Sequence, residues 1–391
     1  MNGKMPRILY LSPSYITSLP DFMHKFGKWS AEKGFEIDVV APQFEGTKSE
    51  ESIEGVKIHR FGKNLPIDLR GHSPIVKAKF ALSFLAKADE IYKSKKFDAI
   101  HAFFAVPAGF IAHWIAKKKT PYAVHLLGSD IYNGLKSPAM RPFVKSAISN
   151  ASFVFSDGKE MVDLAVQNGC SVKRQWVHSW GLDLARLDKK IQKRLEKNWG
   201  VKKGCKVLLV IRARARHYGA SYFIDALPKV LERHENLKAV IVDKIPEDLM
   251  HEFSSRAKEL GVEKNLVFPG FLNKEEFRAA LEIADVYVTP SVQDSISISL
   301  LSAMAVGLPI VATDIGDTRL WVKDRANGII VKPASPEGLS EGINAVLAMD
   351  RKQLKKMSQY SINEIKKRCS WERLIDQLSE NYFEMIEDLG K

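Results

Sequence analysis

Short apolar runs alternate with stretches of helical period along almost the whole 391-residue chain. No other feature limits the fold as much. "RILYLSP" (7–13) reads as a buried strand ending in turn residues. "PDFMHKFGKWSAEK" (20–33) puts Phe22, Phe26 and Trp29 on one helical face, and Gly34 ends that helix. "FEIDVVAP" is the next strand, "VKIHRFG" an edge strand, and residues 75–96 a long helix. "FDAIHAFF", "YAVHLLGSD", "ASFVFSD" and "QWVHSWGLD" are further strands, with "PAGFIAHWIAKKK" and "GKEMVDLAVQNG" as helices between them. A charged stretch follows at 184–204, and then a second series with strands "KVLLVI", "LKAVIVD", "NLVFPG", "DVYVTPS", "PIVATD" and "GIIVKP". From about 337 the chain reads as helical. Strand–helix alternation predicts an α/β protein with parallel sheets. Two series predict two Rossmann-like domains facing a central cleft, over residues 1–185 and 186–365, followed by a terminal segment at 366–391.

Charge is unevenly placed. Residues 1–200 hold 31 Lys and Arg against 19 Asp and Glu, a balance of +12; residues 201–391 hold 28 against 27, a balance of +1. A basic first half points to an anionic partner: a phosphorylated acceptor, an anionic membrane surface or nucleic acid. The basic helix at 20–33, with Lys25, Lys28 and Lys33 beside its apolar face, is one candidate for the membrane side. The lysines of 75–96 around "FALSFLA" are another. No basic stripe interleaved with aromatics occurs, so nucleic acid is not expected as a partner. Cys170, Cys205 and Cys369 are an odd, scattered set, which argues for a reducing compartment and against a disulfide framework or zinc site. No apolar run approaches the roughly 20 residues of a membrane span. The start has no signal-peptide layout. A cytoplasmic protein is expected, with the inner face of the membrane as a docking place.

In open parallel sheets, ligands bind beyond the carboxyl ends of the strands. Three loops of the second half lie there. "RARARHYG" (212–219) offers Arg212, Arg214 and Arg216 for a diphosphate. "VQDSISIS" (292–299) leads into a helix whose first N–H groups attract phosphate. There Asp294 can accept from sugar hydroxyls, or cap the helix, and Ser295, Ser297 and Ser299 share that ambiguity. "DIGDTRLW" (314–321) is the third loop.

The run "ADVYVTPSVQDSISISLLSAMAVGLPIVATDIGDTRLWVKDRANGIIVKP" (284–333) resembles the donor-site signature of the group 1 (family 4) retaining glycosyltransferases of GT-B fold. "GVKIHRF", "FDAIHA", "HLLGSD", "GLD" at 181–183, "LVFPGFLNKEEF" and "SWE" at 370–372 follow in that family's order, so the resemblance covers nearly the whole chain. It implies transfer of a sugar from a nucleotide-diphosphate sugar to an acceptor with retention at the anomeric carbon. The second domain would hold the donor and the first, basic one the acceptor, anionic or lipid-linked. The terminal helix would return to the first domain, anchored by Trp371. No metal and no cofactor beyond the donor is expected. Asp294 and Arg212 become the candidate catalytic residues. Arg214, Arg216, Ser295, Ile296, Ser297, Ile298, Ser299 and Ser302 become the candidate donor contacts. Gly128, Ser129, Asp130 and Tyr15 are candidates on the acceptor side.

The sequence also departs from the family in polar positions. Where the family places two Glu residues, this chain has Asp294 and Ser302. The family's Arg and Lys after the first strand of the donor domain fall near Ala213 and Tyr218. The glycine-rich turn after the first strand is "SYITSLPDF", without glycine. The His before Gly128 is Leu127, with His125 displaced by two; a paired Gly is Asp317, and an expected acid is Leu320. Two readings follow. One is an active transferase with an altered donor site. The other is a non-catalytic relative, either a sugar- or nucleotide-binding module or a partner subunit of an active transferase.

Overall fold

The computed structural model describes residues 5–15, 22–63, 72–171 and 174–388. Residues 16–21, the central part of "SYITSLPDF", lie outside the described residues. The chain falls into two compact units, Met1–Trp180 with Trp371–Lys391, and Gly181–Ser370.

The first unit runs β1 (Arg7–Leu11), α1 (Phe22–Glu32), β2 (Glu36–Pro42), β3 (Glu50–Ile53), β4 (Val56–Phe61), α2 (Pro74–Ser94) and β5 (Ala99–Phe103). It continues with α3 (Phe110–Ala116), β6 (Tyr122–Leu126), α4 (Ser129–Lys136), α5 (Arg141–Ser149), β7 (Phe153–Ser156), α6 (Lys159–Gln167) and β8 (Gln175–Val177). The sheet order is β3-β4-β2-β1-β5-β6-β7-β8, parallel except for the β3–β4 pair. Strands β1, β5, β6 and β7 are almost wholly buried, as expected of strands covered on both faces. On one face α2 to α6 enclose Phe80, Phe84, Ile111, Val144 and Met161. On the other, α1 packs Met23 and Phe26 beside Tyr10, Phe103 and Trp180.

The second unit runs α7 (Lys189–Asn198), β9 (Lys206–Ile211), α8 (Ala220–Leu231), β10 (Leu237–Val242), α9 (Glu247–Glu259), β11 (Leu266–Gly270) and α10 (Lys274–Ile283). Then come β12 (Val286–Thr289), α11 (Ile298–Ala305), β13 (Ile310–Thr313), α12 (Thr318–Trp321), β14 (Gly328–Val331), α13 (Pro336–Leu347) and α14 (Arg351–Arg368). Its sheet is fully parallel, in the order β11-β10-β9-β12-β13-β14. All six apolar runs named from the second-half sequence become strands here.

The final helix, α15 (Trp371–Glu387), belongs to the first unit. Leu374, Ile375, Leu378, Tyr382 and Met385 recur at helical spacing and are buried there with Phe26 and Phe35. This explains why α1 presents no basic face for a membrane. Lys25 lies 5.3 Å over the Trp371 ring, Lys33 pairs with Asp376 at 2.6 Å, and Lys28 pairs with Glu54. Three other differences have local causes. "VKIHRFG" is not an edge strand, because β3 pairs antiparallel outside it. Residues 129–149 contain α4 and α5, two helices beyond those expected from the sequence. The charged stretch 184–204 contains α7, whose Leu195, with nearby Trp199, is buried in the second unit's core.

Candidate functional site

The second unit's sheet reverses its direction of winding between β9 and β12, so the loops after these neighbouring strands diverge and leave a crevice. Two of the three loops singled out above meet there. The amide of Val292 donates to the carbonyl of His217 at 2.8 Å. Gly219 has φ +71°, and a Cβ on it would stand 2.0 Å from the Pro290 carbonyl oxygen. Only glycine permits that approach. The third loop is tied in through Thr313, whose hydroxyl donates to the Ser291 carbonyl at 2.5 Å.

Arg212 occupies the centre. It has φ +85°, a conformation that costs a residue with a side chain about 1–3 kcal/mol. Its guanidinium donates to the Asp294 carboxylate and, at 2.6 Å, to the Tyr218 hydroxyl, and it lies 4.2 Å over the Tyr218 ring. Burial works against the charge on Arg212, but Asp294 and Tyr218 outweigh it and its pKa is raised. The two candidate catalytic residues are thus direct partners. Arg214 and Arg216 go elsewhere. Arg214 pairs with Asp243 at 3.1 Å, while Arg216 reaches outward to Glu252. Asp243, at the end of β10, also accepts from the amides of Ala213 and Arg214 at 2.8 and 3.0 Å. It shapes the arginine loop, a role signalled in the sequence only by an acid closing an apolar strand.

Helix α11 begins beside this pair without a side-chain cap. Its first N–H groups therefore keep their capacity for an anion. Asp294 accepts from the Ser295 amide at 3.0 Å. Ser297 and Ser299 are buried and linked to each other, and Ser299 reaches the Tyr287 hydroxyl at 2.8 Å. Burial pushes Tyr287 up to about 12. The sequence reading missed Tyr287, which looks like any buried strand residue. Ser295 Oγ is buried and unpaired among the described residues. Ile296 packs into the core beneath the loop, whereas Ile298 is partly exposed at the helix mouth. Ser302 is only 2% exposed and donates to the Ile298 carbonyl of its own helix at 2.8 Å. Its hydroxyl is turned into the helix and is not presented to a donor in this state.

In the first unit, Gly128 has φ +104° at the start of α4 and Ser129 is exposed. Asp130 is buried and accepts from the amides of Ala105 at 2.7 Å and Leu127 at 3.1 Å. Burial raises its pKa, against four backbone hydrogen bonds that lower it. It locks a turn. Tyr15 is wholly buried and its hydroxyl meets His24 Nδ1 at 2.7 Å. The strand histidines form a buried chain. Tyr382 meets His101 at 2.6 Å, His101 meets His125 at 3.2 Å, and His125 meets His178 at 2.8 Å. Burial holds His101 and His178 down to about 3, and His125 well below its usual value. No group of three or more potential metal ligands occurs among the described residues.

Comparison with known proteins fits this geometry. The family model described as glycosyl transferases group 1 matches residues 191–364, and the glycosyl transferase 4-like domain matches residues 22–180. An uncharacterised glycosyltransferase of Methanocaldococcus jannaschii is 24% identical, with 92% of each chain covered. The chain belongs to the group 1 glycosyltransferases of GT-B fold. Sucrose-phosphate synthase of Thermosynechococcus elongatus superposes with a TM-score of 0.81 at 14% identity, over 98% of this chain and 100% of that one. The Anabaena protein HepE, solved with UDP and glucose, superposes with a TM-score of 0.75 at 19% identity, over 96% and 98%. In this glycosyltransferase the group 1 match contains both the Arg212–Asp294 pair and the α11 mouth. The departures at Tyr218 and Ser302 sit beside the pair and one turn into α11.

Proposed function

We propose that this glycosyltransferase takes its sugar from a nucleotide-diphosphate donor held by the second unit and transfers it with retention of configuration. The observation that carries the reading is the Arg212–Asp294 pair beside the uncapped start of α11. An incoming diphosphate competes with the Asp294 carboxylate for Arg212. Once Arg212 turns to the diphosphate, Asp294 can accept from hydroxyls of the donor sugar. The bond from the anomeric carbon to the diphosphate oxygen breaks, and a bond to the acceptor oxygen forms on the same face. The acceptor's proton passes to the departing diphosphate oxygen. Arg212 and the α11 N–H groups stabilise the developing negative charge, so the chemistry needs no metal. The HepE structure with UDP and glucose supports a nucleotide sugar as donor. The balance of +12 over residues 1–200 supports an anionic acceptor, phosphorylated or lipid-linked, met in the cytoplasm or at the inner membrane face.

Titration with UDP, GDP, ADP and their common sugar conjugates, followed by thermal unfolding, tests this. One base should raise the unfolding temperature, since ligand at a hundredfold excess over Kd adds about 2.7 kcal/mol. The inward hydroxyl of Ser302 and the uncharged Tyr218 favour a second reading, a non-catalytic relative that supports an active transferase. The absence of any shift would select it.

A further inference from the structure

The outer surface of the first unit's α2–α3–α5 layer carries large apolar side chains that the described residues leave largely exposed. Ile75 and Leu82, two turns apart on α2, are 79% and 66% exposed, and Trp114 on α3 is 59% exposed. Leu82 and Trp114 border one shallow hollow of about 340 Å³. The band continues onto α5, where Phe143 packs edge-on against Phe110, one turn before Trp114, at 5.0 Å between ring centres. Met140 is exposed just before that helix. Single exposed apolar residues are ordinary; a run of them across three adjacent helices marks a contact surface.

Charge identifies the partner. Residues 99–156, which contain α3 and α5, hold six cations: Lys117, Lys118, Lys119, Lys136, Arg141 and Lys145. Their one acid is Asp130, which is buried. None of the six makes an ion pair with a described residue. The acid in the hollow, Asp89, is neutralised by Lys93 at 2.5 Å. Two copies meeting through this face would bring cation against cation. A lipid bilayer with anionic headgroups accepts both features, because apolar side chains enter its acyl boundary while lysines reach the phosphates. An exposed Trp suits that interface in particular.

We infer that the α2–α3–α5 face, centred on Leu82 and Trp114, docks the protein onto an anionic membrane surface. This rests on the reading of an acceptor met at a membrane, and names the surface that brings the chain there. No helix among the described residues is long and apolar enough to cross a membrane, so the contact is peripheral.

The test uses the full chain and vesicles of phosphatidylcholine with or without phosphatidylglycerol. Co-sedimentation should occur with the anionic vesicles and be lost in high salt. Replacing Lys118 and Lys119 by Ala should weaken it about fivefold per lysine. Leu82→Ser with Trp114→Ala should weaken it at least as much. Brominated lipid should quench the wild type more than Trp114→Phe. Equal binding to neutral vesicles, or binding indifferent to both variants, would overturn the proposal. So would concentration-dependent self-association that Trp114→Ala abolishes. All these side chains are exposed, and unfolding temperature checks that each variant folds. The nucleotide titration should be unchanged in them, so failure of the docking surface is distinguishable from failure of the donor reading.

Discussion

Arg212 is the residue on which the donor reading turns, and its unusual backbone ties it to the loop. Arg212→Ala should lower kcat by about a hundred- to a thousandfold, the range for losing one group that stabilises transition-state charge. A smaller loss, measured with the donor that the titration identifies, would place the charge stabilisation elsewhere. Asp294→Ala should act in two directions. It should abolish transfer yet tighten binding of the free nucleoside diphosphate, since the carboxylate no longer competes for Arg212. Calorimetric titration with the diphosphate checks the second half; weaker binding would mean that Asp294 positions Arg212 more than it competes with the ligand. Gly219→Ala tests the joint between the loops. Its Cβ would collide with the Pro290 carbonyl in a backbone region that alanine disfavours. A loss of about 1–3 kcal/mol is expected, a drop of several degrees in the unfolding temperature of the second unit.

Among the elements, α15 has the clearest separable role. It follows the second unit in sequence and completes the core of the first. Its Tyr382 donates to the Tyr10 hydroxyl at 3.0 Å while meeting His101 at 2.6 Å. Tyr382→Phe keeps the ring and removes the hydroxyl, leaving His101 Nδ1 without that partner. The expected cost is about 1–3 kcal/mol of the first unit's stability, readable in urea unfolding; no change would mean the hydroxyl chain is energetically idle. Helix α1 shows why a helix with basic residues can be misread from sequence alone. Its lysines are answered by Trp371, Asp376 and Glu54, and two of these arrive from α15, hundreds of positions away. Helix α2 is the converse. Phe80 and Phe84 do face the core as the apolar period suggests, but Ile75 and Leu82 point outward.

At the scale of the molecule, the buried histidine chain makes stability depend on pH. His101, His125 and His178 stay neutral when folded, whereas in the unfolded chain each titrates near its ordinary 6.5. Below that value the unfolded state binds more protons than the native state, so stability rises with pH and is lost as pH falls from about 6.5 toward the folded values. Each histidine contributes a slope of about 1.4 kcal/mol per pH unit in that window. Urea midpoints for the first unit at pH 7.5, 6 and 5 should fall in that order, with little change above pH 7.5 from these groups. A flat profile between pH 6.5 and 5 would show that the three are not excluded from protonation in the native state.

The parallel α/β series, the second-unit strands and the place of the 212–219 and 292–299 loops at strand ends were all legible in the sequence. They depend on local periodicity and on the rule that ligands gather at strand ends, and both act over short stretches of chain. The partners of the polar residues were not legible. Nothing in "VQDSISISLLS" says that Asp294 binds an arginine 82 residues earlier or that Ser302 turns back onto Ile298. Nor does "PYAVHLLGSD" say that His125 joins His101 of the adjoining strand and His178 just past β8 while Asp130 secures a turn. An apolar side chain has one destination, away from water, and its period announces it. A hydroxyl, imidazole or guanidinium has many acceptable partners, and only the tertiary fold decides which of them lies within three ångströms.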